Sequence, residues 1–187
     1  MSDKQLIDRV LSGDTQAFRD LYHLHSTSAW NMAMYVCANE TLAKDAVQNS
    51  FTSVFKYLSS FRFDSSFKTW LLRIVHNESC RIMKQETKYQ WTEYEEELKD
   101  WRDITFEAEV PINSKELKHE IANVLVKMKH VEALVLKLFY LEEMSMKEIT
   151  EIMNCTLGNV KVLLYRARKS FKTWIESSNL AEYNERG

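Results

Sequence analysis

Glycine occurs only three times in this chain and proline once. Hairpin sheets and parallel-strand crossovers use both residues as punctuation, so their scarcity points to an all-helical protein. It also removes chemistry. With Gly13, Gly158 and Gly187 alone, neither a phosphate-binding P-loop nor a GxGxxG turn can be written, and nucleotide-hydrolysing and nicotinamide-binding readings fall. Cysteine is as sparse: Cys37, Cys80 and Cys155 form no CxxC, and the histidines at 23, 25, 76, 119 and 130 form no HExxH. No metal site and no cofactor are expected. An odd, low cysteine count suits reduced, buried thiols in a cytoplasmic protein. The N-terminal MSDKQLIDRV has no apolar core of a signal peptide, and no apolar run approaches the roughly 20 residues of a spanning helix, so no membrane insertion is expected.

Net charge is −2 over 187 residues, long enough for one sizeable core or two small ones, but the average hides three blocks. Residues 62–90 carry six Lys/Arg against three Asp/Glu, net +3. Residues 93–109 carry two against eight, net −6, and residues 145–175 carry six against two, net +4. Two basic segments flank an acidic one, and such asymmetry says more about partners than the sum does.

Hydrophobic spacing divides the chain. Leu6, Ile7, Val10 and Leu11 make one short stripe that ends at Ser12-Gly13. Asp14 is placed to cap a second helix running through Ala17, Phe18, Leu21 and Tyr22 to about Val36. Thr41 is the expected cap of a third, with Leu42, Ala46, Val47, Phe51, Val54, Phe55 and Leu58 at helical spacing. Residues 59–66 read as a loop, and a fourth helix follows from about Phe67 to Glu86. Residues 91–113 hold the single proline, Pro111, and read as an acidic linker, although Trp91, Tyr94, Trp101 and Phe106 exceed what an inert spacer needs. Asn113 with Glu116 resembles a capping box and opens a second helical block. Ile121, Leu125 and Met128 line one helix, and Val131–Leu141 makes another. Ser145 with Glu148 caps Met146–Met153, and a turn at 154–156 leads to a last helix from Leu157 to about Ile175. The expected fold is all-α: two small helical domains, 1–90 and 114–178, an acidic linker at 91–113, a helix-turn-helix closing the second domain, and a tail at 179–187.

The two basic helices carry the chemistry. On the last one, Val160, Leu164, Ala167 and Phe171 fall in one arc and should face the core. Gly158, Lys161, Val162, Tyr165, Arg166 and Lys169 point away from it, with Leu163 at the edge of that outward face. A short helix, a short turn and a longer basic helix is the grammar of a duplex reader. On the fourth helix, Trp70, Arg73, Asn77, Arg81 and Lys84 share about a quarter of the wheel, opposite Leu71, Val75 and Ile82. Cations suit phosphate, an amide suits base edges, and an indole suits an unstacked base. The competing view is a core tryptophan with solvated cations. No catalytic constellation is visible: the acidic residues lie mainly in the linker, and His23-x-His25 places its rings on different helix faces.

These motifs together resemble a bacterial RNA polymerase sigma factor of the extracytoplasmic-function group. Gly13-Asp14-x-x-Ala17-Phe18-x-x-Leu21-Tyr22 is similar to that family's opening, and Ala43-x-Asp45-x-Val47-Gln48-x-x-Phe51 to its polymerase-clamp helix. The run from Phe61-Arg62-Phe63-Asp64 to Trp70-Leu71-x-Arg73-Ile74-x-x-Asn77 resembles the segment that reads and melts the −10 element. Ser145-x-x-Glu148-Ile149, Val160-Lys161 and Tyr165-Arg166-Ala167-Arg168 resemble the −35-reading domain. The resemblance implies core polymerase contacts at Asp45, Val47, Gln48, Phe51 and Phe55. It implies −10 contacts at Arg62, Phe63, Asp64, Trp70, Arg73 and Asn77, to which the wheel of the fourth helix adds Arg81 and Lys84, and −35 contacts at Asn159, Lys161, Val162, Tyr165, Arg166 and Lys169. Implied partners are core RNA polymerase, through the clamp of its largest subunit and its flap, and promoter DNA, with an anti-sigma factor or a DNA-bound recruiter beside them. The chain departs from the pattern in its second half. Met128-Lys129 stands for Leu-Pro, Ala133 and Phe139 stand where Arg is usual, and Val162-Leu163 replaces a polar-then-Arg pair on the recognition helix. Weakened −35 discrimination is the expected consequence. Two other classes stay open on sequence: a free-standing helix-turn-helix regulator, which would dimerise on two half-sites, and a helical interaction module without DNA.

Overall fold

The computed structural model describes residues 1–87, 121 and 123–177, and every regular element among them is helical. The linker at 91–113, the Asn113–Glu116 box and the tail at 179–187 lie outside the described residues.

Local side-chain chemistry sets most helix starts. Helix α1 spans Asp3–Leu11, with Ser2 and Gln5 forming a reciprocal capping box. Gly13 follows at φ +98°, a conformation that costs glycine little, and so turns the chain. Asp14 then caps α2, Thr15–Cys37, by accepting from the backbone of Gln16 and Ala17. The same carboxylate holds Arg9 at 2.6 Å, tying the end of α1 to the start of α2. Helix α3 spans Glu40–Tyr57, and its cap is Asn39, not Thr41. Asn39 is extended and its Oδ1 accepts from Leu42 N at 3.1 Å, whereas Thr41 already sits inside the first turn.

A 3-10 turn at Leu58–Ser60 ends α3, and α4 spans Phe67–Thr87. Ser66 Oγ accepts from Thr69 N at 3.0 Å and so caps α4. In the second block residues 123–127 are helical and α5 spans His130–Leu136. The sequence suggests one helix through Leu141, but Lys137–Leu141 widens into a π turn. Glu142 N donates to Lys137 O at 3.0 Å, an i to i−5 closure, and this re-aims the chain after α5. Helix α6, Met146–Met153, carries the expected Ser145–Glu148 capping box and stops at Asn154, φ +51°. Helix α7 spans Leu157–Ser177.

Helices α1–α4 enclose one apolar centre, with Ile7, Leu21, Met32, Val54, Leu58, Leu71 and Leu72 fully buried. Leu134, Leu138, Ile149, Ile152, Val160 and Leu164 fill the space between α5, α6 and α7. The two blocks are not splayed apart: α6 lies against α4 and α5 against α2, and the buried residues make one continuous core. All three cysteines are free thiols, and burial pushes Cys80 up to about 11.

Candidate nucleic-acid interface

Four surfaces matter, and the first is α3. Asp45 and Gln48 are exposed and Phe55 shows 59% of its surface. Val47 and Phe51, expected beside them in a contact, are buried in the chain's own core. Their helix must present polar residues outward and apolar ones inward, so only part of the motif is available to a partner. Aromatic packing from α2 supports this face. Phe18 meets Phe55 edge-on at 5.0 Å between ring centroids, and Tyr22 meets Phe51 at 4.5 Å.

The loop at 61–66 and α4 form the second surface. Phe61 anchors it, 9% exposed, with Trp70 at 5.0 Å and Phe67 at 5.9 Å. Phe63 leans on Phe61 at 4.7 Å with the ring planes tilted by 50°, yet it remains 45% exposed, and its backbone is left-handed, φ +59°. A bulky residue pays about 1–2 kcal/mol for that conformation, a cost that persists where surrounding structure imposes it. Arg62 and Asp64 flank it in solvent. Trp70 is half-buried, so the core-tryptophan view holds for one side of its ring. Along α4, Arg73, Asn77, Arg81 and Lys84 are exposed, while Leu71, Val75 and Ile82 are buried, as the spacing requires. Arg81 is not a free cation: its guanidinium is forked onto Glu78 at 2.6 and 2.9 Å. That hydrogen-bonded pairing holds the Glu78 carboxyl below its ordinary range.

The third surface is α7. Lys161, Arg166 and Lys169 are exposed, and Asn159, Val162 and Tyr165 are half-buried. Leu163 is a correction: expected at the edge of the outer face, it is 8% exposed. The core arc of α7 is wider than Val160, Leu164 and Ala167 alone, because α5 also packs on this helix. Arg168, from the Tyr165-Arg166-Ala167-Arg168 run, donates to Tyr140 Oη at 3.0 Å and lies over the Phe139 and Tyr140 rings.

Sequence reasoning missed the fourth surface, where the two blocks meet. Glu142 leaves the π turn and enters the angle between α2 and α4. Its carboxylate accepts from Ser28 Oγ at 2.8 Å and Asn31 Nδ2 at 3.2 Å, and pairs with Lys68 Nζ at 2.9 Å. Lys68 also donates to the Glu142 carbonyl at 3.2 Å. Burial pushes the Glu142 pKa up, but the hydrogen bonds from Lys68, Ser28 and Asn31 and the Lys68 charge together hold it below its ordinary value. Nearby, Thr69 Oγ1 donates to Glu148 Oε1 at 2.8 Å, and the Lys137 ammonium sits 4.1 Å above the Tyr35 ring. Burial, with the Glu142 charge adding to it, pushes the Tyr35 phenol up to about 12. Among the described residues no group of His, Cys, Asp and Glu could hold a metal ion, and no helix is long and apolar enough to cross a membrane.

A bundle presenting a cationic aromatic face, followed by a helix-turn-helix, defines a DNA-engaging transcription protein. Family comparison sharpens this. Sigma-70 region 2 matches residues 21–89 and Sigma-70, region 4 matches residues 118–171. The extracytoplasmic-function sigma factor SigW of Bacillus subtilis is 29% identical over 180 residues, covering 92% of this chain and 96% of that protein. The RNA polymerase sigma factor YlaC of the same organism is 31% identical over 157 residues, covering 83% and 90%. Among solved structures, CnrH in complex with the cytosolic domain of CnrY superposes with a TM-score of 0.66 at 21% identity, covering 95% of this chain and 99% of that one. The sigma factor RpoE of Bartonella quintana, in complex with the anti-sigma factor NepR, superposes with a TM-score of 0.63 at 18% identity, covering 88% and 100%. The chain belongs to the sigma-70 family, in its extracytoplasmic-function group, and directs RNA polymerase to promoters. Its partners are core RNA polymerase and promoter DNA.

Proposed function

We propose that Asp45, Gln48 and Phe55 on the outer face of α3 dock on the clamp of the polymerase's largest subunit, with Val47 and Phe51 holding that face in shape. Loop 61–66 and α4 then capture the −10 element as a single strand. Taking a base out of its stack costs a few kcal/mol, and a protein pocket must offset it. Phe63, strained and exposed beside the Phe61–Trp70 stack, is the observation that carries this reading. Arg62, Arg73 and Lys84 supply phosphate contacts, Asp64 and Asn77 supply hydrogen bonds to bases, and Arg81 contributes after release from Glu78. The protein is a non-catalytic specificity subunit acting in the cytoplasm, and the polymerase performs the chemistry. The functional units are residues 1–90, an acidic tether at 91–113 that passes through the polymerase's nucleic-acid channel, and residues 114–178, which meet the flap.

On upstream DNA, α7 holds phosphate through Lys161, Arg166 and Lys169, with Asn159 and Tyr165 alongside. Base reading falls to Val162, which can meet a thymine methyl but makes no bidentate hydrogen bond. With Leu163 in the core, no strong reader replaces the missing Arg, and −35 discrimination is low. Placement then depends on another protein, an anti-sigma factor or a DNA-bound recruiter.

The test is reconstitution with core polymerase on pre-melted and duplex promoter libraries. Trp70→Ala and Asn77→Ala each weaken binding of a pre-melted −10 strand by about 1–3 kcal/mol, with helicity retained. Unchanged binding in both variants assigns the pocket elsewhere. A randomised −35 library returns weak enrichment, whereas strong enrichment of one sequence, lost on Lys161→Ala or Arg166→Ala, rejects low discrimination.

A further inference from the structure

Ser28, Asn31 and Lys68 come from two helices of the first block and converge on one carboxylate. Together they offer a hydroxyl, an amide and an ammonium to a single anion, which makes an anion seat rather than a lone surface ion pair. The occupant comes from the second block. Glu142 reaches the seat because the π turn at Lys137–Leu141 redirects the chain, and its side chain is only 8% exposed there. The seat adjoins the strand-reading surface: Lys68 is two residues before Trp70, and its neighbour Thr69 is fully buried under Glu148 of α6.

An ionised carboxylate and a backbone phosphate ask the same of their site: a nearby cation and a few donors. The basic segment 62–90 exists to meet phosphates on the reading above, and Lys68 is one of its six cations. Lys68 is engaged by the chain's own acid. A long, partly exposed lysine would otherwise be free to snorkel outward toward a strand.

We infer that Glu142 is an internal phosphate mimic: in the free chain it occupies an anion seat of Ser28, Asn31 and Lys68 that receives a backbone phosphate of the promoter strand once the two blocks part. The clasp has two consequences. It holds α6 over the first turn of α4, so the closed chain presents an incomplete strand-binding surface. It also makes nucleic acid and closure compete for one cation, so binding of polymerase and DNA stabilises the open form by differential affinity alone. The inference rests on the proposed role of α4 in strand binding.

Glu142→Gln, Lys68→Gln and the double variant Ser28→Ala/Asn31→Ala separate the two halves of the idea. All three remove part of the clasp, and small-angle scattering on the free full-length chain reads the radius of gyration. Each variant is expected to be more expanded than wild type while retaining its helicity by circular dichroism. Fluorescence anisotropy with a labelled single-stranded −10 oligonucleotide reads the seat. Glu142→Gln gains affinity several-fold, because Lys68 is released. Lys68→Gln opens too but gains nothing, and its binding shows a salt slope lower by about 0.7, one phosphate contact on a single strand. The alanine pair keeps both charges and falls between them.

A Glu142→Gln chain as compact as wild type overturns the clasp. A Lys68→Gln chain that gains affinity as Glu142→Gln does overturns the seat, because opening alone would then account for the gain. Failure of the underlying reading is distinguishable: there, holoenzymes carrying Trp70→Ala or Asn77→Ala with Glu142 and Lys68 intact bind the pre-melted strand as wild type does.

Discussion

Thr69 donates its hydroxyl to Glu148 across 2.8 Å, and so joins the first turn of α4 to the capping box of α6. Glu148 already serves its own helix by accepting from Ser145 N at 2.9 Å and Ser145 Oγ at 2.8 Å. One carboxylate therefore starts α6 and fastens it to α4. Thr69→Val keeps the shape and removes the donor. Denaturant unfolding is expected to show a loss of about 1–3 kcal/mol, because the variant gives up both the bond to Glu148 and the one that Ser66 Oγ makes to Thr69 Oγ1 at 2.8 Å. A variant as stable as wild type would show that the Thr69 hydroxyl adds nothing.

Polymerase docking is best tested at polar positions. Asp45→Ala/Gln48→Ala is expected to weaken core polymerase binding with thermal stability near wild type, because both residues are exposed. Phe51→Ala is the wrong probe. Its ring is buried against Tyr22, and its loss is expected to cost about 3–5 kcal/mol of stability. Paired melting curves and binding isotherms check both statements, and normal polymerase binding by the double variant would move the docking surface off α3.

The left-handed backbone at Phe63 allows strain and contact to be measured separately. Phe63→Gly and Phe63→Ala both delete the ring, so both are expected to lose affinity for a pre-melted strand to the same degree. Only glycine relieves the φ of +59°. The glycine variant is expected to be more stable than the alanine variant by about 1 kcal/mol in denaturant titrations. Equal stabilities would mean that the loop relaxes without the ring.

Acid should open the chain. Glu142 and Glu148 both titrate below their ordinary values in the closed form, against burial, because hydrogen bonds and the Lys68 charge favour the ionised state. A depressed carboxyl pKa stabilises the form that depresses it at pH values above the ordinary range. That contribution fades as pH falls through about 4.3 toward the closed-state value. Lys68 pairs with Glu142 and also lends its charge to Glu148, while across α2 the Tyr35 phenol, with the Lys137 ammonium over its ring, stays neutral throughout this range. Scattering radii measured down this range are expected to grow for wild type and to change little for Glu142→Gln. Parallel curves would remove Glu142 from the closure.

On α7, adjacent apolar residues have different jobs. Leu163→Ala is expected to cost about 2–5 kcal/mol of stability, as a buried leucine should. Val162→Ala, at a half-exposed position, is expected to cost about 1 kcal/mol or less and to change only the weak −35 preference. Transcription from the randomised −35 library by both variants, beside their melting curves, checks the division.

Much of the fold was legible because its signals are local. The Ser145–Glu148 capping box, the Asp14 cap and the Gly13 turn need only neighbouring residues, and periodic apolar stripes placed α1 to α4 within a residue or two. The cap of α3, expected at Thr41, falls two residues earlier at Asn39, whose extended backbone lets its side chain accept from Leu42 N. The cationic faces of α4 and α7 followed from helical spacing. Their free charge did not: Arg81 is committed to Glu78 and Arg168 to Tyr140, and the second bond spans 28 positions of sequence.

The helical class, the two helical blocks and the family are legible in contiguous residues, because periodicity, caps and short motifs are written there. The tertiary structure alone decided which of those residues are spent inside the chain. Val47, Phe51 and Leu163 went to the core, and the π turn at 137–141 carried Glu142 to Lys68, 74 residues upstream. Glu142 in a short acidic loop reads as a solvated charge. Its burial follows from three donors on α2 and α4 whose meeting no local pattern encodes, since desolvating a carboxylate is tolerable only where all of them converge.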